Sequence, residues 1–454
     1  MPAPNAVAAL LARERARYGH ANPASARLAA ETADHWFAGT PMHWMTDWQL
    51  PFPLAVREAR GARIVDVDGH VYSDFCLGDT AAMFGHSPPA VADAVAAQAA
   101  RGLATMLPAV DAAWVGAELA RRFGLPVWQV ATTASDANRF LLRWARAVTG
   151  RSVLIVFDGC YHGAVDDAQV RLEGGQTRHA PGLLGQAGNL TASTRVVEFN
   201  DIEALSAALA ADDVAAVLCE PAMTNAGMIL PDPGFHAALR ALTRRHETLL
   251  VVDETHTLAT GPGGYTQAFG LEPDALVIGK AIAGGLACAV YGVTATLAAR
   301  MQEAWTRAGP GRTGIGTTLS GNPLQLAALR ANLGQVMTDD AYATMHAQAT
   351  RLAAGLRAVF ARHDFEWSVT QLGARCEFRF CATTPRTARA SEAATDPSLE
   401  RLLHLYLLNR GIVISPFHNM LLTSPATTLD DVHALLDALD ACLFELAHAG
   451  TQTP

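Results

Sequence analysis

The sequence has no run of lysine or arginine, no paired cysteines and little charge of either sign. Charged residues are 17% of the 454, and the formal net charge is −9. That balance argues against a polyanion such as nucleic acid as a partner. Seven cysteines are scattered with no CxxC pair and no Cys/His cluster. Neither a disulfide frame nor a zinc site is expected, and the pattern suits a reducing cytosol. The N-terminus lacks the charged-then-apolar layout of a signal peptide. Residues 5–18 resemble an Arg-rich transit helix, but Glu14 and the missing Ser-rich flank oppose that reading. The apolar run 281–299 is interrupted by Gly284, Gly285 and Gly292, so it requires no membrane span. No G-x-G-x-x-G follows the first strand pattern, which removes support for a nucleotide-binding enzyme. A cytoplasmic protein without nucleic-acid or membrane partners is the expectation.

What is abundant is apolar: 50% of the residues. A chain of this length needs two or three packed units. So little charge for so much surface fits a chain that buries part of itself against a copy, a homodimer or larger. Residues 127–133, 152–157, 215–220, 249–253, 275–278 and 289–294 read as strands. They are mostly continuous in Val, Ile, Leu and Ala, as strands buried on both faces are. Helical patterns intervene at 137–149, 201–211 and 234–245, the first two after Asp136 and Asn200 as N-caps. This alternation predicts an α/β fold with a mostly parallel sheet flanked by helices. Beyond residue 332 the pattern changes. A long helix over 341–363 precedes alternating strands 366–371 and 376–380, each with one wet face, then a surface loop over 382–396 and helices 399–409 and 429–447. The expected organisation is an aromatic N-terminal segment 1–60, a large domain 61–332 and a small α+β domain 333–454.

Two strand ends carry the chemistry. The run Leu249–Asp253 delivers Asp253 and Glu254, and the run Ala275–Ile278 delivers Gly279 and Lys280, to the edge where open α/β sheets bind ligands. An amine at a buried strand end is costly to desolvate unless it is used, and such a lysine can hold an aldehyde as an imine. An Asp and a Lys one strand apart equally describe a structural salt bridge. A third element, Thr133 to Asn138, is a small-residue turn opening a helix. It offers backbone N–H groups to a phosphate, with Ser135 adding a hydroxyl, or serves only as a helix cap. Tyr161-His162-Gly163 follows the strand at 152–157, and its aromatic ring either lies flat against a planar cofactor or, as a lone Tyr more often does, simply packs. Last, Thr317 to Pro323 is a polar turn leading into a helix over 324–336.

In this order and spacing, these five elements resemble the class III pyridoxal 5′-phosphate (PLP) aminotransferases of fold type I, in the branch of glutamate-1-semialdehyde aminomutase and the β-amino-acid aminotransferases. The resemblance covers residues 52–446. It implies a large PLP-binding domain and a small α+β domain formed by both termini. Lys280 would be the Schiff-base lysine and proton shuttle, and Asp253 the partner of the pyridine nitrogen. Thr255 takes a position usually held by Val against the ring, opposite Tyr161 and its neighbour His162. Ala134 and Ser135 stand for the usual Gly-Thr of the phosphate cup. Asn225, after Glu220-Pro221, matches the asparagine at the cofactor's phenolic oxygen. Thr318 matches a threonine that reaches the phosphate of the neighbouring subunit, which makes the homodimer share its active sites.

The departures bear on substrate. Many relatives carry an Arg a few residues after the Asp-Glu pair; here Thr255 to Thr260 contains none. Another Arg precedes a Pro-Phe-Pro turn in β-amino-acid aminotransferases; here Met42-His43-Trp44-Met45 stands in its place. A guanidinium is the preferred bidentate partner of a carboxylate. The expectation is therefore a transaminase that exchanges an amino group between an amine or non-standard amino acid and a keto acid. Its pocket is expected to draw on Trp44, Trp48, Phe52, His256, His418 and Asn419, although packing accounts equally well for the aromatics and a structural role accounts better for His256. An aminomutase of the glutamate-1-semialdehyde type, for which Asn225 speaks, and an ammonia-lyase remain open, because all three begin with the same cofactor adduct.

Overall fold

The structure, a computed structural model, describes residues 2–186, 188–415 and 417–448. The chain divides into two compact units. The central unit comprises residues 89–339 and 385–392; the terminal unit comprises 1–88, 340–384 and 393–454.

The central unit is built on a seven-stranded sheet: β1 Val127–Ala131, β2 Val153–Phe157, β3 Thr194–Val197, β4 Val214–Cys219, β5 Leu249–Asp253, β6 Ala275–Ile278 and β7 Ala289–Val293. Their spatial order is β1-β7-β6-β5-β4-β2-β3. The pairs β5–β6, β5–β4, β2–β4 and β2–β3 are parallel, whereas β7 runs antiparallel to both β6 and β1. Every residue of β2, β4, β5, β6 and β7 is buried, which is why these strands carry no polar alternation. Gly292 in β7 lies opposite Trp128, and a Cβ there would stand 2.6 Å from the indole; the strand carries a glycine because a ring fills that space.

Sequence patterning missed β3, whose Thr-Arg start leaves too short an apolar run. It also displaced two helix starts. The cap of helix Ala134–Thr149 is Thr133, whose Oγ1 accepts from the Asp136 amide at 3.2 Å. The cap of helix Ile202–Leu209 is Asp201, which accepts from Ala204 N at 2.8 Å. Asn200 instead sits at φ 72° and accepts from Asp232 N. Helix Ala134–Thr149 buries Ala137, Asn138, Leu141, Leu142 and Ala145 along one face and ends at Gly150 in the left-handed region.

In the terminal unit, strands Val56–Arg60, Arg63–Asp66 and Val71–Asp74 form a meander, and Val71–Asp74 also pairs in parallel with Ile412–Val413. This pairing draws residues 61–88 to the termini, so the division differs from the expected boundary at residue 61. A second sheet, Ser368–Leu372, Arg375–Arg379 and Met420–Leu422, is antiparallel. It has no wet face along Arg375–Arg379, which is buried throughout. Arg375 donates to Thr80 Oγ1 at 2.8 Å, and Glu377 lies at ion-pair distance from His418 Nδ1, 3.0 Å, and Arg379 Nη1, 3.8 Å, so these charges face protein groups rather than water. The core joins Leu352, Leu356, Phe360, Phe378, Leu403 and Leu439. Each fully buried leucine contributes about 2 kcal/mol. The expected surface loop 382–396 contains helix Ala388–Glu392; Arg386 pairs with Asp232, and Ala388 N donates to Glu198 within the central unit. Among the described residues no helix is long and apolar enough to cross a membrane.

Candidate active site

The carboxyl ends of β5 and β6 are adjacent in register, with Asp253 opposite Val277 and the Glu254 amide donating to Val277 O at 2.8 Å. Asp253 is 4% exposed. Its Oδ2 receives Asn138 Nδ2 at 2.9 Å and His162 Nδ1 at 3.0 Å, and its Oδ1 receives the Thr255 amide at 3.1 Å. Burial alone would raise this acid's pKa. The bond and charge of His162, then the donors Thr255 and Asn138, outweigh it and bring the value to about 2. His162, fully enclosed, responds in the opposite direction. Burial disfavours its charged form, yet the Cys160 sulfur and the Asp253 carboxylate together raise its pKa well above 6.5. A permanently ionised carboxylate at a sheet edge is suited to hold a protonated ring nitrogen.

Lys280 is the single lysine of the chain. That rarity is a signal in the sequence which motif reading passed over. Lys280 opens a tight turn, Lys280–Ala283, with φ 46°, a left-handed conformation that costs a residue with a side chain about 1–3 kcal/mol. The turn is pinned by Asn332, itself fully buried, whose Nδ2 donates to Ala281 O at 2.9 Å and Ile282 O at 2.8 Å. Lys280 Nζ lies 2.9 Å from His256 Nε2. Asn138 and Asn332 were both missed from sequence: an asparagine gives no periodic signal, and its value lies in partners distant along the chain.

The third wall is the start of helix Ala134–Thr149. The first intrahelical bond runs from Ala137 N to Thr133 O, so the amides of Ala134 and Ser135 precede the ladder and point out of the helix end. Ser135 Oγ accepts from Ala164 N at 3.0 Å. Two glycines let neighbouring loops reach this helix end. A Cβ on Gly163, at φ 83°, would collide with the Ser135 hydroxyl, and one on Gly279 would stand 2.7 Å from Ala134 Cβ. Thr255 Oγ1, 3.4 Å from that same point, is buried with no hydrogen-bond partner among the described residues. Tyr161 is half exposed, its amide donating to Glu220 Oε1 at 3.4 Å. Asn225 is half-buried beside Thr224, whose amide donates to Glu220 Oε2. Burial raises the pKa of Glu220.

The central unit therefore gathers Ala134, Ser135, His162, Thr255, His256 and Lys280 around Asp253, with Tyr161 and Asn225 at its edge. Thr318 is exposed in the turn before helix Pro323–Ala331. Trp44, Trp48 and His418 lie in the terminal unit. Trp44 is exposed. Trp48 packs beside Tyr18 and Tyr72 and lines an apolar cavity of about 420 Å³ with Met45 and Leu50. His418 is committed to Glu377.

A mostly parallel sheet flanked by helices that presents a lysine, an ionised aspartate and a helix N-terminus along one edge defines a fold type I PLP enzyme. Comparison with known proteins agrees. Residues 44–443 match the model of the class-III aminotransferase family. The glutamate-1-semialdehyde 2,1-aminomutase of Desulfitobacterium hafniense (strain Y51) is 32% identical over 397 residues, 86% of this chain and 90% of that protein. The crystal structure of a glutamate-1-semialdehyde aminomutase from Pseudomonas aeruginosa PAO1 is 50% identical, with a TM-score of 0.96, covering 98% of this chain and 99% of that one. A Lys-to-Ala variant of a glutamate-1-semialdehyde aminomutase from the same organism has been crystallised with PMP. The β-phenylalanine aminotransferase of Variovorax paradoxus is 27% identical, with a TM-score of 0.85 and 98% of both chains covered. The chain belongs to the class-III aminotransferase family and is a PLP-dependent enzyme.

The residues present fit the cofactor. Asp253 would supply the anion for a ring nitrogen, the amides of Ala134 and Ser135 a seat for a phosphate, Thr255 a buried hydroxyl, and Lys280 the amine. Bound there, PLP supplies an electrophilic carbon for an amino group and a ring that withdraws electrons from the adjacent bond.

Proposed function

We propose that this chain moves amino groups on PLP carried covalently by Lys280, and that it exchanges them between two carbons of one substrate, as its aminomutase relatives are named for. The observation carrying the chemistry is the pairing, at one sheet edge, of Asp253 clamped by His162 with Lys280 held in a strained turn. Asp253 anchors the ring nitrogen, and Ala134 and Ser135 seat the phosphate. Thr255 and Tyr161 flank the ring, and Asn225 approaches its phenolic oxygen. Lys280 carries a proton from one carbon to the next. The 50% identity to an aminomutase over nearly the whole chain favours the intramolecular reaction over the transaminase put first by sequence reading.

A specific observation keeps the second reading. From Thr255 to Thr260 there is no guanidinium to grip a substrate carboxylate, which favours a transaminase working on an amine or non-standard amino acid with a keto acid acceptor. One experiment separates them. Glutamate 1-semialdehyde given alone to the holoenzyme is converted to product in the first case; in the second, conversion of an amine requires pyruvate or 2-oxoglutarate. Failure with every amino donor, or no PLP on Lys280 after borohydride reduction, removes both. We further propose a homodimer in which Thr318 reaches the partner's phosphate site. The low charge content and the exposed Met106, Leu107 and Val110 support it, and sedimentation equilibrium tests it.

A further inference from the structure

His256 is 6% exposed and stands in the turn that follows β5. The backbone on both sides of it is fixed. The Thr255 amide donates to Asp253, Thr257 Oγ1 donates to Glu254 Oε2 at 2.9 Å, and Leu258 N donates to Glu254 O at 2.9 Å. Glu254 is in turn held by the amides of Tyr265 and Thr266. Facing it, the Lys280 turn is held by Asn332. Two rigid turns thus bring an imidazole nitrogen to 2.9 Å from the chain's one side-chain amine. The carboxylates at this edge have partners of their own: Asp253 with His162, Glu254 with Thr257 and two amides, Glu220 with Thr224.

We propose that His256 is the proton partner of Lys280, a positioning residue that shares one proton with Nζ whenever that amine is released from the cofactor. An N···N hydrogen bond needs one donor and one acceptor. With a neutral amine, Nε2–H donates to the Nζ lone pair; with an ammonium, the ring in its Nδ1–H tautomer accepts from Nζ. When Nζ takes a proton from a substrate carbon, an N–H bond forms as the C–H bond breaks, and the electron pair stays with the carbon. Returning the same proton to the second carbon restores the amine, so protons and electrons balance with no co-reactant. The imidazole orients the lone pair before the transfer and supports the ammonium after it.

The inference rests on Lys280 having the role proposed above, and the test separates the two. Full-length native protein, His256→Leu and His256→Gln are stripped of cofactor with hydroxylamine and checked for folding by circular dichroism. Recapture of PLP is then followed by visible absorption across the neutral and alkaline range, and the product is reduced with borohydride and mapped. With Lys280 labelled in every form, the midpoint of the rate–pH profile is expected to fall by about one unit in His256→Leu, since a lost charge-assisted bond is worth about tenfold. His256→Gln, whose amide oxygen still accepts from Nζ, returns towards the native midpoint. Superimposable profiles in the three proteins overturn the inference while leaving the function intact; absence of label on Lys280 in the native protein overturns the function itself. Should His256→Leu fail to fold, His256→Ala takes its place: it too offers Nζ no acceptor, so the midpoint is again expected to fall by about one unit, and a midpoint that stays at the native value refutes the proposal.

Discussion

The imidazole of His162 contacts the carboxylate of Asp253 across 3.0 Å, with both groups withdrawn from solvent. The pair is an ion pair held within the fold. It keeps the carboxylate charged at any pH at which the enzyme would work, and it gives the site a defined response to acid and base.

For this pair the signs differ. The pKa of Asp253 is depressed from 3.8 to about 2, so its contribution to stability is complete above pH 3.8 and is lost as the pH falls through about 2. The pKa of His162 is raised, so its contribution is complete below pH 6.5 and is lost as the pH climbs through the higher folded value. Substitution of His162 by Leu leaves a buried charge short of its cation and is expected to cost about 3–5 kcal/mol. It should also move the acid limb of the thermal-stability profile to higher pH. Calorimetry over a pH series measures both effects.

Because Lys280 is the only lysine, replacing it removes every side-chain amine. Lys280→Arg keeps the charge but cannot form the covalent link. Turnover is expected to fall by about 10³-fold or more, with no pyridoxyl peptide found by mass spectrometry after reduction.

At the phosphate seat, alanine at position 163 would strain a backbone at φ 83° and push into the Ser135 hydroxyl. A loss of about 1–3 kcal/mol is expected, together with weaker PLP binding. Equilibrium dialysis and melting with and without PLP distinguish the two effects.

Asn332→Leu removes the two donors that pin the Lys280 turn. Ala281 O keeps the Gly284 amide at 3.0 Å, so it is the Ile282 carbonyl that loses its donor, at about 1–3 kcal/mol, and relaxation of the strained turn is expected to slow covalent capture of PLP. Stopped-flow absorption reads the capture rate, and denaturant unfolding reads the stability.

The sheet was legible because its central strands are buried on both faces and thus are unbroken apolar runs, each ending where a turn begins. Asp253 and Lys280 were legible because each follows such a run directly. Helix starts were displaced by a few residues because Thr133, Asp136, Asn200 and Asp201 are all competent caps, and only the local backbone selects among them. The wet face assigned to residues 376–380 was wrong for a related reason. Alternation of Arg and Glu with apolar residues marks a pleated strand, but whether the charges meet water or each other depends on what lies over them.

The sequence by itself determined six of the seven strands of the central sheet, which residue types end them, and that a lone amine follows one of them. These properties are local, fixed by neighbours a few positions away. Tertiary structure alone decided that Asn138, from a helix, and His162, from a loop, converge on Asp253; that Asn332 clamps the Lys280 turn; and that His256 faces Nζ. Those partners are 24 to 115 positions apart along the chain, and a hydrogen bond carries no trace of itself in the spacing of the residues that make it.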